Sequence, residues 1–247
     1  WNFQKKGSTE SSEQVIKIFR NMNWEDECYL LSKRKFRENA NIINIFTQKK
    51  GKIEGIVYGG TSRKVRNYLQ ISNKLFVSHT SKNENRIGYF KTELIKPISP
   101  LYFSDKERTS ALTSICSLLN VLLPESQPNK IIYVAFEKLL NSINIENWIF
   151  LYIFFEINLI KELGYDTNLK QNFKDLISGK ELINIKIDGN FYEVPEYLIT
   201  EKIPENFNNN LIRKSLYFTR QIMINKFFVT NNLLFPKSRV ILENYFN

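Results

Sequence analysis

The chain has 247 residues, 43% of them hydrophobic, enough to bury one large core or two modest ones. Two cysteines and one histidine exclude a disulfide framework, a multi-cysteine zinc site and a histidine metal cluster; a reducing cytosol fits this usage best. The net charge of +10 is confined to one segment. Leu31 to Pro100 holds 15 Lys or Arg against 4 Glu, a surplus of 11, whereas from Leu101 onward 16 basic residues face 16 acidic ones. A general drift toward Lys would raise both parts alike, so the asymmetry points to a polyphosphate met by the first part.

In chain order, residues 1–21 read as a polar leader outside the native chain, with Met22 as the initiator and no apolar stretch of signal-peptide length. Strand-like alternation follows over Cys28–Leu31, Ala40–Phe46, Lys52–Tyr58, Lys74–Ser78 and Ile87–Leu94. The turn signals between them are Lys50-Gly51, Gly59-Gly60 and the polar run His79–Asn85. Five strands with one long connection after the third suit a small closed barrel of the OB type. After Pro100 the period lengthens to that of helices. One runs from a Ser104-Asp105 cap to Leu123, a second over Asn129–Asn141, and a third over Glu146–Leu163 that is apolar nearly all round and is closed by Gly164. Its apolar window, Trp148–Ile160, is interrupted by Glu156 and Asn158 and is too short for a bilayer span, which takes about 20 residues, so it reads as a buried helix. Within the segment Phe173–Tyr197, Leu182–Ile187, an Asp188-Gly189 turn and Phe191–Val194 predict an inserted hairpin. Helical spacing resumes over Asn209–Phe228 and Pro236–Tyr245. The fold class expected is α+β: a five-stranded OB-fold β-barrel over 22–98, then an α-helical bundle domain over 99–247 with a small hairpin insertion at about 170–197.

Three basic triplets stand out in the barrel segment. Arg34, Lys35 and Arg37 fall in the turn after the first strand, Lys49, Lys50 and Lys52 in the turn after the second, and Arg63, Lys64 and Arg66 after Gly59-Gly60. One such cluster is ordinary turn solvation; three in one small barrel predict a phosphate track. Tyr58 or Tyr68, beside the third cluster, is the candidate stacking face for a base. Gly59-Gly60 lacks the spaced glycines and Lys-Ser/Thr of a phosphate-cradling loop and reads as a turn. His79, between Ser78 and Thr80, reads as an exposed loop end, and Cys28 and Cys116 as packed thiols. No catalytic residue, metal site or cofactor is expected. The one dense acidic cluster, Glu25-Asp26-Glu27, would alternate across a strand and converge poorly on a metal ion.

The run NWEDECYLLSKRKFRENANIINIFTQKKGKIEGIVYGGTSRKVRNYLQ (Asn23 to Gln70) resembles the amino-terminal region of the bacterial recombination mediator RecO, especially its alphaproteobacterial members. The resembling features are the acids Glu25 to Glu27, the polar turn at Glu38-Asn39, Phe46-Thr47, Gly51, and Gly59-Gly60 ahead of Arg63, Lys64 and Arg66. LLNVLLPESQPNKIIYVAFEKLL (Leu118 to Leu140) is similar to that family's paired helices around a Leu-Pro-Glu turn, and FEINLIKELGYDTNL (Phe155 to Leu169) to the end of its central helix. The resemblance implies a non-catalytic protein that binds single- and double-stranded DNA, anneals complementary strands and works with RecR to load RecA onto DNA coated by single-stranded DNA-binding protein. It places such a protein in the bacterial cytoplasm with the nucleoid and implies no membrane partner. It also implies a groove in the helical part for the coating protein's acidic, Phe-ended tail, with Lys138, Arg213, Lys214 and Arg220 as the partner-binding cations. Many family members hold zinc with four cysteines in the insertion; Phe173–Tyr197 has none, so this hairpin should fold without metal. The alternatives left open are an RNA-binding OB-fold interaction protein and a metal-dependent nuclease.

Overall fold

The computed structural model describes residues 23–81, 87–167, 169 and 181–247. The leader, Met22, residues 82–86 of the polar run and the first part of the predicted insertion, 170–180, lie outside the described residues.

The long first strand organises the barrel. β1 (Trp24–Phe36) pairs with β4 (Lys74–Thr80) through Trp24–Tyr29 and with β2 (Ala40–Thr47) through Cys28–Phe36, and its register shifts between Leu30 and Ser32. An irregularity of this kind bends a strand, so one strand serves both walls. β3 (Gly51–Tyr58) pairs with β2, and β5 (Gly88–Lys96) pairs antiparallel with β4. β5 closes the barrel in the order β1-β2-β3-β5-β4 by a short parallel pairing on β3, Gly55↔Gly88 and Ile56↔Tyr89. Closure needs glycine at both positions. A Cβ on Gly55 would lie 2.3 Å from the Phe90 ring, and one on Gly88 would lie 1.9 Å from His79 Nε2. The inner face packs Cys28, Leu30, Ile43, Ile45, Val57, Leu75, Val77 and Phe90. Between β3 and β4, α1 (Arg63–Tyr68), capped by Ser62, lays Val65, Tyr68 and then Leu69 against that core.

Three sequence expectations change here. The first strand extends well beyond Cys28–Leu31, so Arg34 and Lys35 are strand residues and only Arg37 is in the turn, with φ +54°. The charged runs at both ends mask the alternation that β4 and β2 complete by pairing. Lys52 belongs to β3 rather than to the preceding turn. His79 is a strand residue of β4, half-buried and stacked on Trp24 with ring centroids 4.8 Å apart, not a loop end.

The chain divides into two compact units. The barrel unit runs through Leu101 and takes in Leu123–Pro128, whose Ser126 N–H donates to the Lys52 carbonyl at 2.9 Å. The second unit contains α2 (Lys106–Leu122), α3 (Lys130–Ser142), α4 (Trp148–Glu162), the hairpin β6 (Leu182–Ile187) and β7 (Asn190–Pro195), α5 (Glu196–Thr200), α6 (Asn209–Met223), a π-helical turn (Ile224–Phe228) and α7 (Lys237–Asn244). Asp105, Asn129 and Asn208 accept from backbone N–H groups three residues on, at 2.8–2.9 Å, and so start α2, α3 and α6. The hairpin turns at Asp188-Gly189, both at positive φ, as a two-residue turn requires. The helical spacing expected over Asn209–Phe228 is split between α6 and the π turn, and the short α5 is an element the periodicity did not announce. α4 packs between α3 and α6, and α2 packs on α7. Among the described residues no helix is long and apolar enough to cross a membrane.

At the centre of this unit is a buried ion pair. Arg239 of α7, with no exposed surface, donates from Nε to Glu156 Oε1 of α4 at 2.5 Å and from Nη2 to Glu156 Oε2 at 3.0 Å. Its Nη2 also reaches the Leu216 carbonyl at 2.7 Å, and Thr219 donates to Glu156 at 2.5 Å. Three helices are thereby pinned together. Burial opposes the guanidinium charge, yet Glu156 wins and holds its pKa above the ordinary value.

Candidate nucleic-acid interface

β2 is eight residues long, roughly 25 Å, so the β1–β2 and β2–β3 turns lie at opposite ends of the barrel. The three basic triplets divide accordingly. At the β1–β2 end, the connection after β3 is tied to the turn: the Gly59 N–H donates to the Asn39 carbonyl at 2.8 Å, Thr61 Oγ1 to Asn39 Oδ1 at 2.8 Å, and Asn41 Nδ2 to the Gly60 carbonyl at 2.8 Å. These bonds seat the start of α1 beside the end of β1, so Arg63, Lys64 and Arg66 join Arg34, Lys35 and Arg37. Alternation along β1 puts Lys33 and Lys35 on the α1 side and Arg34 on the other, where it pairs with Glu54 at 3.3 Å. Lys33 donates to the Leu69 carbonyl at 2.6 Å, and its ammonium pKa is held down by burial and then by Arg66. Lys35, Arg37, Arg63, Lys64 and Arg66 are exposed and, among the described residues, have no ion-pair partner.

The second triplet does not join them. Lys49, at the far end, faces Asp26 at 3.8 Å. Lys50 is half-buried and its backbone N–H caps onto Thr47 Oγ1 at 2.8 Å. Lys52 is only 9% exposed, and burial lowers its ammonium pKa against the pull of Glu125 and Glu54. The continuous track expected from sequence is therefore two surfaces, one rich in unpaired cations and one of mixed charge.

Between α1 and β5 runs a groove of about 650 Å³ lined by Val65 and Tyr68 on one wall and by Tyr89, Lys91 and Thr92 on the other, with Tyr58 at its edge. Of the two candidate stacking residues, Tyr58 is 56% exposed, whereas Tyr68 is half-buried and donates its hydroxyl to the Thr92 carbonyl at 2.7 Å. Tyr68 thus joins α1 to β5 and is the less exposed of the two. The residue not singled out from sequence is Tyr89, 38% exposed and stacked on Tyr58 with ring centroids 5.3 Å apart and planes 25° apart. The signal was present in the alternation of buried Gly88 and Phe90 around it.

The acidic cluster is dispersed as alternation predicts. Glu25 accepts from Ser78 Oγ at 2.8 Å, Asp26 faces Lys49, and Glu27 pairs with Lys74 at 2.8 Å. Among the described residues no three His, Cys, Asp or Glu side chains come together. Neither cysteine is in a disulfide and both are buried; burial, then Asp26 and Glu27, pushes the Cys28 thiol well above the usual thiol range, the opposite of an activated nucleophile.

In the helical unit the four partner-binding candidates are not one cluster. Lys138 is exposed on α3, while Arg213, Lys214 and Arg220 are on α6. Lys214 is paired with Glu193 of β7; Arg220 is paired with Glu243 at 3.0 Å and lies over the Tyr217 ring at 5.1 Å. Arg213 is exposed and, among the described residues, donates only to Asn210, at 3.1 Å. A groove of about 340 Å³ lies between β7 and α6, with Phe191, 77% exposed, and Tyr217, 49% exposed, at its rim.

Residues 22–98 match the family model for the recombination protein O N-terminal region, and residues 104–174 match the model for its C-terminal region. The chain is 34% identical over 145 residues to the DNA repair protein RecO of Roseobacter denitrificans, covering 58% of this chain and 60% of that one. It is 34% identical over 152 residues to that of Ehrlichia chaffeensis, covering 61% and 62%. A lower identity, 26%, extends over 239 residues of the RecO of a Wolbachia from Drosophila simulans, 90% of this chain and 99% of that one. At the higher identities the chain spans about 60% of the length of the curated relatives it matches. With both regional models matched in order, along a closed five-stranded barrel followed by helices, the chain belongs to the recombination protein O family.

Proposed function

We propose that this chain is a non-catalytic DNA-binding mediator of bacterial recombinational repair, with residues 22–98 as its DNA-binding domain and the helical remainder as its partner-facing part. The observation that carries the reading is the gathering of Arg34, Lys35, Arg37, Arg63, Lys64 and Arg66 at one end of the barrel, where five of the six lack a carboxylate partner among the described residues. Cations arranged this way bind the phosphate backbone with little regard to sequence and with strong salt dependence, through counterion release. The same charge screens repulsion between two strands, so annealing proceeds without ATP and without a chemical step.

Loading requires more than DNA binding. In this reading the helical unit meets RecR and the acidic, apolar-ended tail of single-stranded DNA-binding protein, and RecA is served indirectly. Arg213 and the exposed rings of Phe191 and Tyr217 suit such a tail, the cation taking a carboxylate and the groove the apolar end. The test of the whole reading is a salt series of binding to unrelated sequences, with and without Mg²⁺. The Arg34→Ala, Lys35→Ala, Arg37→Ala chain should bind all of them more weakly and about equally so. Its salt slope should flatten by roughly 0.9 per lost phosphate contact on duplex and about 0.7 on single strands. Unchanged affinity and slope would refute the assignment of this end, and Mg²⁺-dependent cleavage would refute the mediator. Charge reversal at Arg213, which holds no carboxylate among the described residues, should spare annealing of bare strands and slow it on coated ones; equal loss on both would place it on the DNA surface.

A further inference from the structure

We infer that the groove between α1 and β5 is a subsite for an unpaired nucleobase, which gives the barrel a contact that single-stranded DNA makes and duplex does not. The inference rests on the reading of the barrel as a DNA-binding surface and assigns its groove a separate task. Three observations support it. Tyr58 is more than half exposed and its ring is backed by Tyr89, so a π-face is held in place before any ligand arrives. Two rings that already stack lose less rotamer freedom on binding than a free side chain does. The Tyr68 hydroxyl, fixed on Thr92, ties α1 to β5 in a groove of about 650 Å³, within the range of small-ligand sites.

The walls also carry the charges that a strand requires. Exposed Arg63, Lys64 and Arg66 stand on α1, and exposed Lys91 on β5, so a backbone held on either rim directs a base toward the tyrosine pair. Thr80 supplies a hydroxyl in the same groove, able to donate to or accept from a base edge, and Ser78, whose hydroxyl donates to Glu25, can still accept. The combination is sequence-tolerant, because every base has a π-face. Duplex DNA, whose bases stack on one another, can use the cations but not the rings.

The experiment titrates fluorescently labelled oligothymidine and a duplex of equal length against the full chain across a salt series. The variants are Tyr58→Ala, Tyr58→Phe and Tyr58→Ala with Tyr89→Ala. The double variant should lose about ten- to a hundredfold on the single strand and stay within about twofold on duplex, with both salt slopes unchanged. Tyr58→Phe should bind like the parent. A strand of the same length with abasic sites should bind the parent and the double variant alike. Because Tyr58 is exposed, Tyr58→Ala by itself should fold and lose several-fold on the single strand, which keeps the test open if the double variant does not fold. Equal losses on single strand and duplex, no loss on either, or a flattened slope would overturn the groove assignment while leaving the cationic end intact. A parent chain that binds neither DNA would overturn both.

Discussion

Arg37 in the barrel and Arg239 in the helical unit carry the same guanidinium under opposite conditions. Arg37 stands in a turn at positive φ, exposed, with the Phe36 ring 5.1 Å beneath it. Arg239 has no exposed surface, and its donors are taken by Glu156, Glu243, Thr219 and the Leu216 carbonyl. The contrast extends to their neighbours. Arg108, Lys161, Lys214, Arg220 and Lys226 of the helical unit each hold a carboxylate, whereas Lys35, Arg63, Lys64 and Arg66 of the barrel hold none among the described residues. These barrel cations are thus left available for a ligand, whereas these cations of the helical unit are engaged in structure. Net charge along a sequence reports this difference only because acids accompany the bases where pairs are built.

The largest effect should come from breaking the buried pair. Glu156→Gln leaves the Arg239 guanidinium buried against a neutral amide, and the helical unit should lose about 3–5 kcal/mol, read by denaturant unfolding followed at Trp148. Replacing both partners with apolar residues, Glu156→Leu with Arg239→Met, should recover much of that loss. Arg37→Ala, by comparison, should leave stability within about 0.5 kcal/mol. A Glu156→Gln chain as stable as the parent would mean that the pair is not what joins α4, α6 and α7. A smaller loss, about 1–3 kcal/mol, is expected of Gly55→Ala, because its Cβ would meet the Phe90 ring and force the β3–β5 closure apart. That loss should be read at Trp24 in the barrel and not at Trp148.

The DNA contrast within the barrel is finer. Arg63→Ala with Lys64→Ala and Arg66→Ala should flatten the salt slope by roughly two to three units on duplex, while Lys49→Ala with Lys50→Ala should move it by less than about one. Equal slopes for the two variants would restore the single continuous track that the sequence suggests.

Much of the barrel was readable because its strands alternate and its turns carry glycine. Gly51 and Gly59-Gly60 punctuate the pattern at the observed places. The first helix was readable from its Ser104-Asp105 cap and the others from their apolar spacing; the caps at Asn129 and Asn208 emerge only in the structure. What escaped reading was three-dimensional. Sequence spacing shows Lys49, Lys50 and Lys52 as a third equivalent cluster, but a strand of β2's length carries the chain to the other end of the barrel before they occur. Lys52 was lost from the site because a lysine within a strand can bury its stem, and no local signal distinguishes that from an exposed turn. Glu156 looked like an interruption of an apolar run; its partner is 83 residues away in sequence, and only packing brings them together. The Tyr58–Tyr89 stack depends on a two-residue parallel pairing, too short to leave a periodic trace.

The smallest expected effect is a dependence on pH in the hairpin of the helical unit, and it too separates the two uses of charge. Asp188, at the β6–β7 turn, accepts from Lys226 Nζ at 2.5 Å and from the Tyr165 hydroxyl at 2.6 Å, and the Lys226 ammonium lies 4.5 Å from the centre of the Tyr165 ring. The Lys226 hydrogen bond, then that of Tyr165, holds the Asp188 carboxyl below its ordinary value. Its contribution is therefore full above the ordinary carboxylate range and is lost as pH falls through the lower folded value. Burial and then Asp188 push the Tyr165 phenol up to about 12. That contribution is full below the ordinary phenol range and is lost as pH rises through about 12. Asp188 likewise raises the Lys226 ammonium, which adds to the loss on the alkaline side. The clamp should hold across neutral pH and loosen at both extremes. Difference absorbance between the parent and a Tyr165→Phe chain should show one phenol ionising near pH 12, and a Asp188→Asn chain should move that step down toward the ordinary range. The stability difference between parent and Asp188→Asn should shrink on going to acid, because protonation of Asp188 abolishes the charge that the amide lacks. A Tyr165 step near pH 10 in the parent would show that Asp188 does not hold the phenol. Lys35, Arg37, Arg63, Lys64 and Arg66 at the barrel's β1–β2 end hold no carboxylate among the described residues, so DNA binding through them should not follow this acid limb.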